Sequence, residues 1–152
     1  MKIFGFTIWE SSKPSLTPEQ KIFLNTSTQG SWEIDTKTRR VSIEGNFVCD
    51  KQNLDSFMGL EFDVVTGNFS CAHNQLVSLI GGPRKVGGNF DCTANPLLSL
   101  EGAPLEIGGT LWCDVFGLKS VEWNAAGLQE AKTRGPLANH MIESFLNWKG
   151  RA

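Results

Sequence analysis

Histidine occurs only twice in the 152 residues, and tyrosine not at all, against ten Phe and five Trp. Neither His73 nor His140 has a sequence neighbour that would complete a nucleophile–base pair, so histidine-based catalysis has little to work with. No run approaches the ~20 consecutive apolar residues of a membrane span, which argues against a spanning helix. Neither sign of charge dominates. Fourteen Lys and Arg stand against 16 Asp and Glu, a formal charge of −2 at pH 7. That balance argues against a protein that coats nucleic acid, because counterion release needs a dense basic footprint. Residues 1–10 hold one lysine and a short apolar stretch broken by Gly5 and Thr7, without a small-residue cleavage site. We therefore expect no signal peptide and a cytoplasmic location, where the four cysteines stay reduced.

What is present is globular: 40% hydrophobic and 20% charged residues, in a chain of single-domain length. The organising feature is a repeat. Cysteines stand at positions 49, 71, 92 and 113, separated by 22, 21 and 21 residues. Four residues before each stands glycine (Gly45, Gly67, Gly88, Gly109), and two before each a large apolar side chain (Phe47, Phe69, Phe90, Leu111). Six before come Ile43, Val65, Val86 and Ile107; five after come Leu54, Leu76, Leu97 and Leu118. Seven after comes serine (Ser56, Ser78, Ser99, Ser120), and eight after come Phe57, Leu79, Leu100 and Val121. With glycine at 16 of 152 positions, four coincident glycines would arise by chance roughly once in ten thousand alignments. Such a period signals a solenoid.

The Phe-x-Cys alternation marks a short strand with one buried face. A 21- or 22-residue period returns the chain to the same strand one coil on, so that the Phe, Cys, Leu and Ile/Val columns stack as one core. Each column glycine supplies a positive φ or a close approach between coils. Gly81-Gly82-Pro83 and Gly102 with Pro104 mark turns on the far side, where too little sequence remains for a helix. The convex side is therefore expected to be extended.

Phe90-Asp-Cys92-Thr-Ala-Asn95-Pro-Leu97-Leu-Ser-Leu100 resembles the leucine-rich-repeat core, with Phe and Cys in its first two leucine places. Phe69, Cys71, Asn74, Leu76 and Leu79 match it too. The first repeat has Gln52 at the asparagine place, and the fourth departs with Phe116. The Val-Gly-Gly-Asn-Phe-x-Cys and Ser-Leu-x-Gly-x-Pro motifs resemble repeats in small proteins of tailed bacteriophages, over residues 31–123. The resemblance implies an α/β, short leucine-rich-repeat-like solenoid with a parallel β-sheet face. It also implies a phage product made in the host cytoplasm.

The flanks read as caps. Trp32 to Ile43 predicts a hairpin into the first coil, and Thr17-Pro18-Glu19-Gln20 a capping-box helix start carrying Ile22, Phe23 and Leu24, ending near Asn25. Residues 2–9 predict a strand. Beyond the repeats, a short helix is expected from Asn124 to Lys132. A better one follows over 137–149, with Leu137, Met141, Phe145 and Trp148 on one face. That helix either packs on the last coil or allows self-association. One domain results: an N-terminal cap (1–42), four repeats (43–123) and a C-terminal helical cap (124–152).

The residues give catalysis little support. Cysteines one coil apart cannot converge on zinc and suit a buried row better. Asp50, Asp91 and Asp114 with His73 suggest a metal cluster only loosely, since two repeats separate Asp50 from Asp114. Gly87-Gly88-Asn89 and Gly108-Gly109-Thr110 lack the lysine–serine pair and helix of a phosphate loop. The fourfold serines are expected to bond the turning backbone. Lys37, Arg39 and Arg40, and Arg84-Lys85, are small basic clusters. We expect no cofactor, no metal and no enzyme activity. What remains is the outward sheet face, with Trp112 a large aromatic among small polar side chains. The expected function is binding of a host or phage protein through Val48, Asp91, Trp112 and Asp114. A virion or assembly component is the alternative, and an enzyme the third reading.

Overall fold

The computed structural model describes residues 15–98, 100–115 and 118–122. Helix α1 (Pro18–Ser27) starts at a complete capping box: Gln20 N donates to Thr17 Oγ1 at 3.0 Å and Thr17 N to Gln20 Oε1 at 2.9 Å. It continues two residues past Asn25 and passes directly into β1 (Thr28–Ile34). An Asp35 turn follows, in which the carboxylate accepts from Lys37 N and Thr38 N, each at 2.8 Å. The chain then enters β2 (Val41–Val48), antiparallel to β1 from Thr28↔Phe47 to Ile34↔Val41. This is the expected hairpin.

β2 is long enough to start two parallel ladders. On its first half stack β3 (Phe62–Val65), β5 (Lys85–Val86) and β7 (Glu106–Ile107). On its second half stack β4 (Phe69–Ser70), β6 (Phe90–Cys92) and β8 (Leu111–Val115). The result is a parallel β-sheet solenoid of about three turns. The register is the one the cysteines set, with Phe47, Phe69, Phe90 and Leu111 mutually paired. The Ile43, Val65, Val86 and Ile107 column does more than fill the core, since it builds the first ladder.

The fourth period departs from the others. β9 (Leu118–Glu122) runs back antiparallel to β8, pairing Val115 with Leu118, Cys113 with Val121 and Trp112 with Glu122. Position 116, where asparagine would organise the bend into another coil, is phenylalanine. The sheet thus has an antiparallel strand at either end. The expected strand at 2–9 and the expected helices over 124–132 and 137–149 lie outside the described residues.

The core is the stack of repeat columns. Phe47, Phe69 and Phe90 lie ring over ring, with centroids 5.3 Å apart and planes within 18° and 7°, close to the ~4.8 Å strand spacing. Phe57 and Phe62 meet Phe69 edge-on, and Phe23 of α1 meets Phe47 the same way, closing the first coil from below. Leu76, Leu79, Leu97 and Leu100 are buried behind them.

Two asparagine columns hold successive coils together. Asn74 and Asn95, buried after the second-ladder strands, each donate through Nδ2 to carbonyls of two coils: Cys49 and Cys71 for Asn74, Cys71 and Cys92 for Asn95. Asn74 Oδ1 accepts from Gln52 N and Leu54 N, and Asn95 Oδ1 from Leu76 N, at 2.9–3.0 Å. The residues before them, His73 and Ala94, are left-handed (φ 58° and 56°), which aims the amide inward. At the other end of each strand, Asn46, Asn68 and Asn89 accept from the N–H of Asn68, Asn89 and Thr110 respectively, at 2.8–2.9 Å. These side chains explain the column glycines. A Cβ at Gly67, Gly88 or Gly109 would overlap the Oδ1 of Asn46, Asn68 or Asn89 in the coil before. The three glycines serve close approach, whereas Gly45, at φ 114°, also needs its special backbone.

Candidate functional site

Alternation along the second ladder turns three files of side chains outward. The central file is Val48, Ser70, Asp91 and Trp112, strictly in register. On one side runs Asn46–Asn68–Asn89–Thr110, and on the other stand Asp50, Thr93 and Asp114, with Ala72 buried at the second place of that file. The structure brings three of the four expected contact residues together: Asp91 pairs with Trp112, and Asp114 lies two residues along the same strand. Val48 stands apart, three strands from Trp112, or roughly 14 Å at ordinary spacing. Trp112 is 37% exposed, the largest accessible side chain in these files.

The carboxylates here are partly engaged with the sheet. Asp50 Oδ1 accepts from Ser70 Oγ at 2.6 Å and Ala72 N at 2.8 Å. Asp91 Oδ1 accepts from Thr93 N and Oγ1 at 3.0 and 2.7 Å, and Asp114 Oδ2 from Ala94 N at 2.7 Å. Their first task is to satisfy N–H groups where each strand ends and the backbone bends. Sequence reading placed these residues on the face but missed this engagement, which for Asp50 and Asp114 depends on partners 20–22 positions away and for Asp91 on the turn at Thr93.

The first ladder is charged differently. Arg40 bridges Glu61 at 3.3 Å, Arg84 Asp63 at 3.9 Å and Lys85 Glu106 at 3.7 Å. Each pair joins adjacent coils and, being exposed, adds little stability. The two basic clusters are therefore partly neutralised where they stand. Beside this ladder a hollow of about 250 Å³ is lined by Ser31, Trp32, Glu33, Ser42, Glu44 and Thr66, among others.

The remaining candidates resolve plainly. All four cysteines are free and buried. Burial pushes the thiols of Cys49, Cys71 and Cys92 well above their ordinary value, so they stay protonated. Gly87 N and Gly88 N donate to Val65 O and Gly67 O, and Gly108 N and Gly109 N to Val86 O and Gly88 O. Those amides belong to the sheet and do not form an anion cradle. Ser56 Oγ and Ser78 Oγ accept from Met58 N and Ile80 N across the turns, as expected. Among the described residues, no three His, Cys, Asp or Glu side chains are grouped to hold a metal ion. Nor is any helix among them long and apolar enough to cross a membrane.

One surface feature escaped the sequence reading. Val77 and Leu98, 50% and 60% exposed, stack in adjacent coils, joined by Leu98 N donating to Val77 O at 3.0 Å. The signal was present in the column that follows the repeat leucine, where two successive coils carry an apolar residue. No family model, curated protein or solved structure matches the chain.

Proposed function

We propose that the chain is a leucine-rich-repeat-like module that binds another protein without catalysis, using the outward face of its second ladder. The buried asparagines that end the second and third coils, Asn74 and Asn95, support the leucine-rich-repeat likeness. The observation that carries the binding reading is Trp112: a large aromatic, 37% exposed, at the end of a file otherwise made of Val48, Ser70 and Asp91. An accessible indole on a rigid sheet is the type of anchor that dominates interface energetics. The Gly-Asn-Phe-x-Cys repeat supports a phage origin, and with it a host or defence protein as partner, met in the host cytoplasm.

The test is capture of partners from bacterial lysate with the tagged full-length protein, alongside Trp112→Ala. Because Trp112 lies outside the core, the variant should keep the wild-type circular dichroism and melting temperature and lose the captured protein. Retained capture, or a variant that no longer folds, would remove Trp112 from the interface. The protein at stoichiometric copy number in purified virions would instead favour an assembly component.

A further inference from the structure

We infer that the surface docking on the second ladder is cationic, carrying arginine opposite Asp50, Asp91 and Trp112. This rests on the sheet-face reading and goes beyond it by assigning the partner's chemistry. The argument is charge complementarity on one rigid face. On the first ladder, three acidic side chains, Glu61, Asp63 and Glu106, are each bridged by a base of an adjacent coil. On the second, Asp50 and Asp91 bond Ser70, Ala72 and Thr93 and meet no base among the described residues. Lys51 and His73 stand in the next column, where the chain leaves the strand in a left-handed turn.

Asp50 and Asp91 use Oδ1 for the sheet's own donors, so both carboxylates are held in fixed positions before any partner arrives. Preorganised acceptors of this type suit the planar fork of a guanidinium. The indole of Trp112, one strand beyond Asp91, offers a face on which the same group can stack. An acidic partner would meet repulsion here, and a wholly apolar one would have to strip water from the carboxylates without replacing it.

The test uses amide chemical shifts of the full-length protein titrated with hexa-arginine, hexalysine and hexaglutamate peptides. Hexa-arginine should shift the amides of residues 46–50, 70–72, 91–93 and 112–114. Stacking on the indole should let it bind about fivefold more tightly than hexalysine, and hexaglutamate should shift none of these amides. The double variant Asp50→Asn/Asp91→Asn keeps an oxygen acceptor for the sheet's donors and removes only the charge. It should weaken hexa-arginine binding about tenfold, and raising ionic strength from about 0.05 M to about 0.3 M should weaken wild-type binding likewise. The inference is overturned if the shifts fall on Glu33, Glu44 and Glu106 instead, or if the double variant binds like wild type. Either result leaves the sheet-face reading standing, because that depends on Trp112→Ala and a captured protein.

Discussion

The second and third coils carry asparagine at both ends of their second-ladder strands, Asn68 with Asn74 and Asn89 with Asn95, and the two columns work by different physics. At the rim, Asn46, Asn68 and Asn89 each accept one N–H from the next coil. In the interior, Asn74 is 2% exposed, accepts two N–H groups and donates to three carbonyls. Losing a rim side chain hands one N–H back to water. Losing an interior one strands several backbone groups where no water reaches them. A motif repeated with the same residue type can thus be cheap to lose at one end and costly at the other.

The largest expected effect separates interior from rim by pH. The buried thiols of Cys49, Cys71 and Cys92 have folded-state pKa values raised above their ordinary 9.0. Above pH 9 the unfolded chain therefore loses protons that the folded chain retains. Their stabilisation is intact below that value and disappears as pH rises beyond it. Urea midpoints should change little between about pH 7 and pH 8.5 and fall steeply by about pH 10.5. A flat profile would mean the thiols are not interior.

Next in size, Asn74→Ala should cost about 3 kcal/mol in urea unfolding, the loss of a buried, multiply bonded amide. Asn68→Ala should cost about 1 kcal/mol or less. Equal losses would erase the distinction between the columns. Gly88→Ala sharpens it, because its Cβ would overlap Asn68 Oδ1 and press on Gly67 O. It should cost about 2 kcal/mol alone and distinctly less in an Asn68→Ala background, where the main obstacle is gone. Strict additivity in that double-mutant cycle would show that asparagine and glycine are not linked. The smallest effect is a gain. Ala94 holds φ 56° to aim Asn95, and Ala94→Gly should raise stability by about 1 kcal/mol by relieving the left-handed strain.

Much of this was legible because the period is strict. Phe, Cys and Leu recur at fixed offsets, so register, buried face and parallel stacking follow from spacing. Three things were not legible. The first ladder was hidden because Val86 and Ile107 sit in two-residue strands, too short to show alternation. The fold-back of β9 was hidden because Leu118 and Val121 still match the repeat columns; what differs is the missing asparagine at position 116. On the outer face, alternation placed Trp112 outward but left open whether the C-terminal segment covers it; the side chain is 37% exposed. The bonding of Asp50, Asp91 and Asp114 did not follow from alternation, since each needs the turn geometry of its own or a neighbouring coil.

The most direct test follows alkylation of Cys49, Cys71, Cys92 and Cys113 one by one, by mass spectrometry, across increasing urea. If the sulfurs share one interior row, all four react only through whole-molecule opening, with a single free energy equal to that of unfolding. Any one of them reacting in the native protein at the rate of an open thiol would contradict the stacked-coil account.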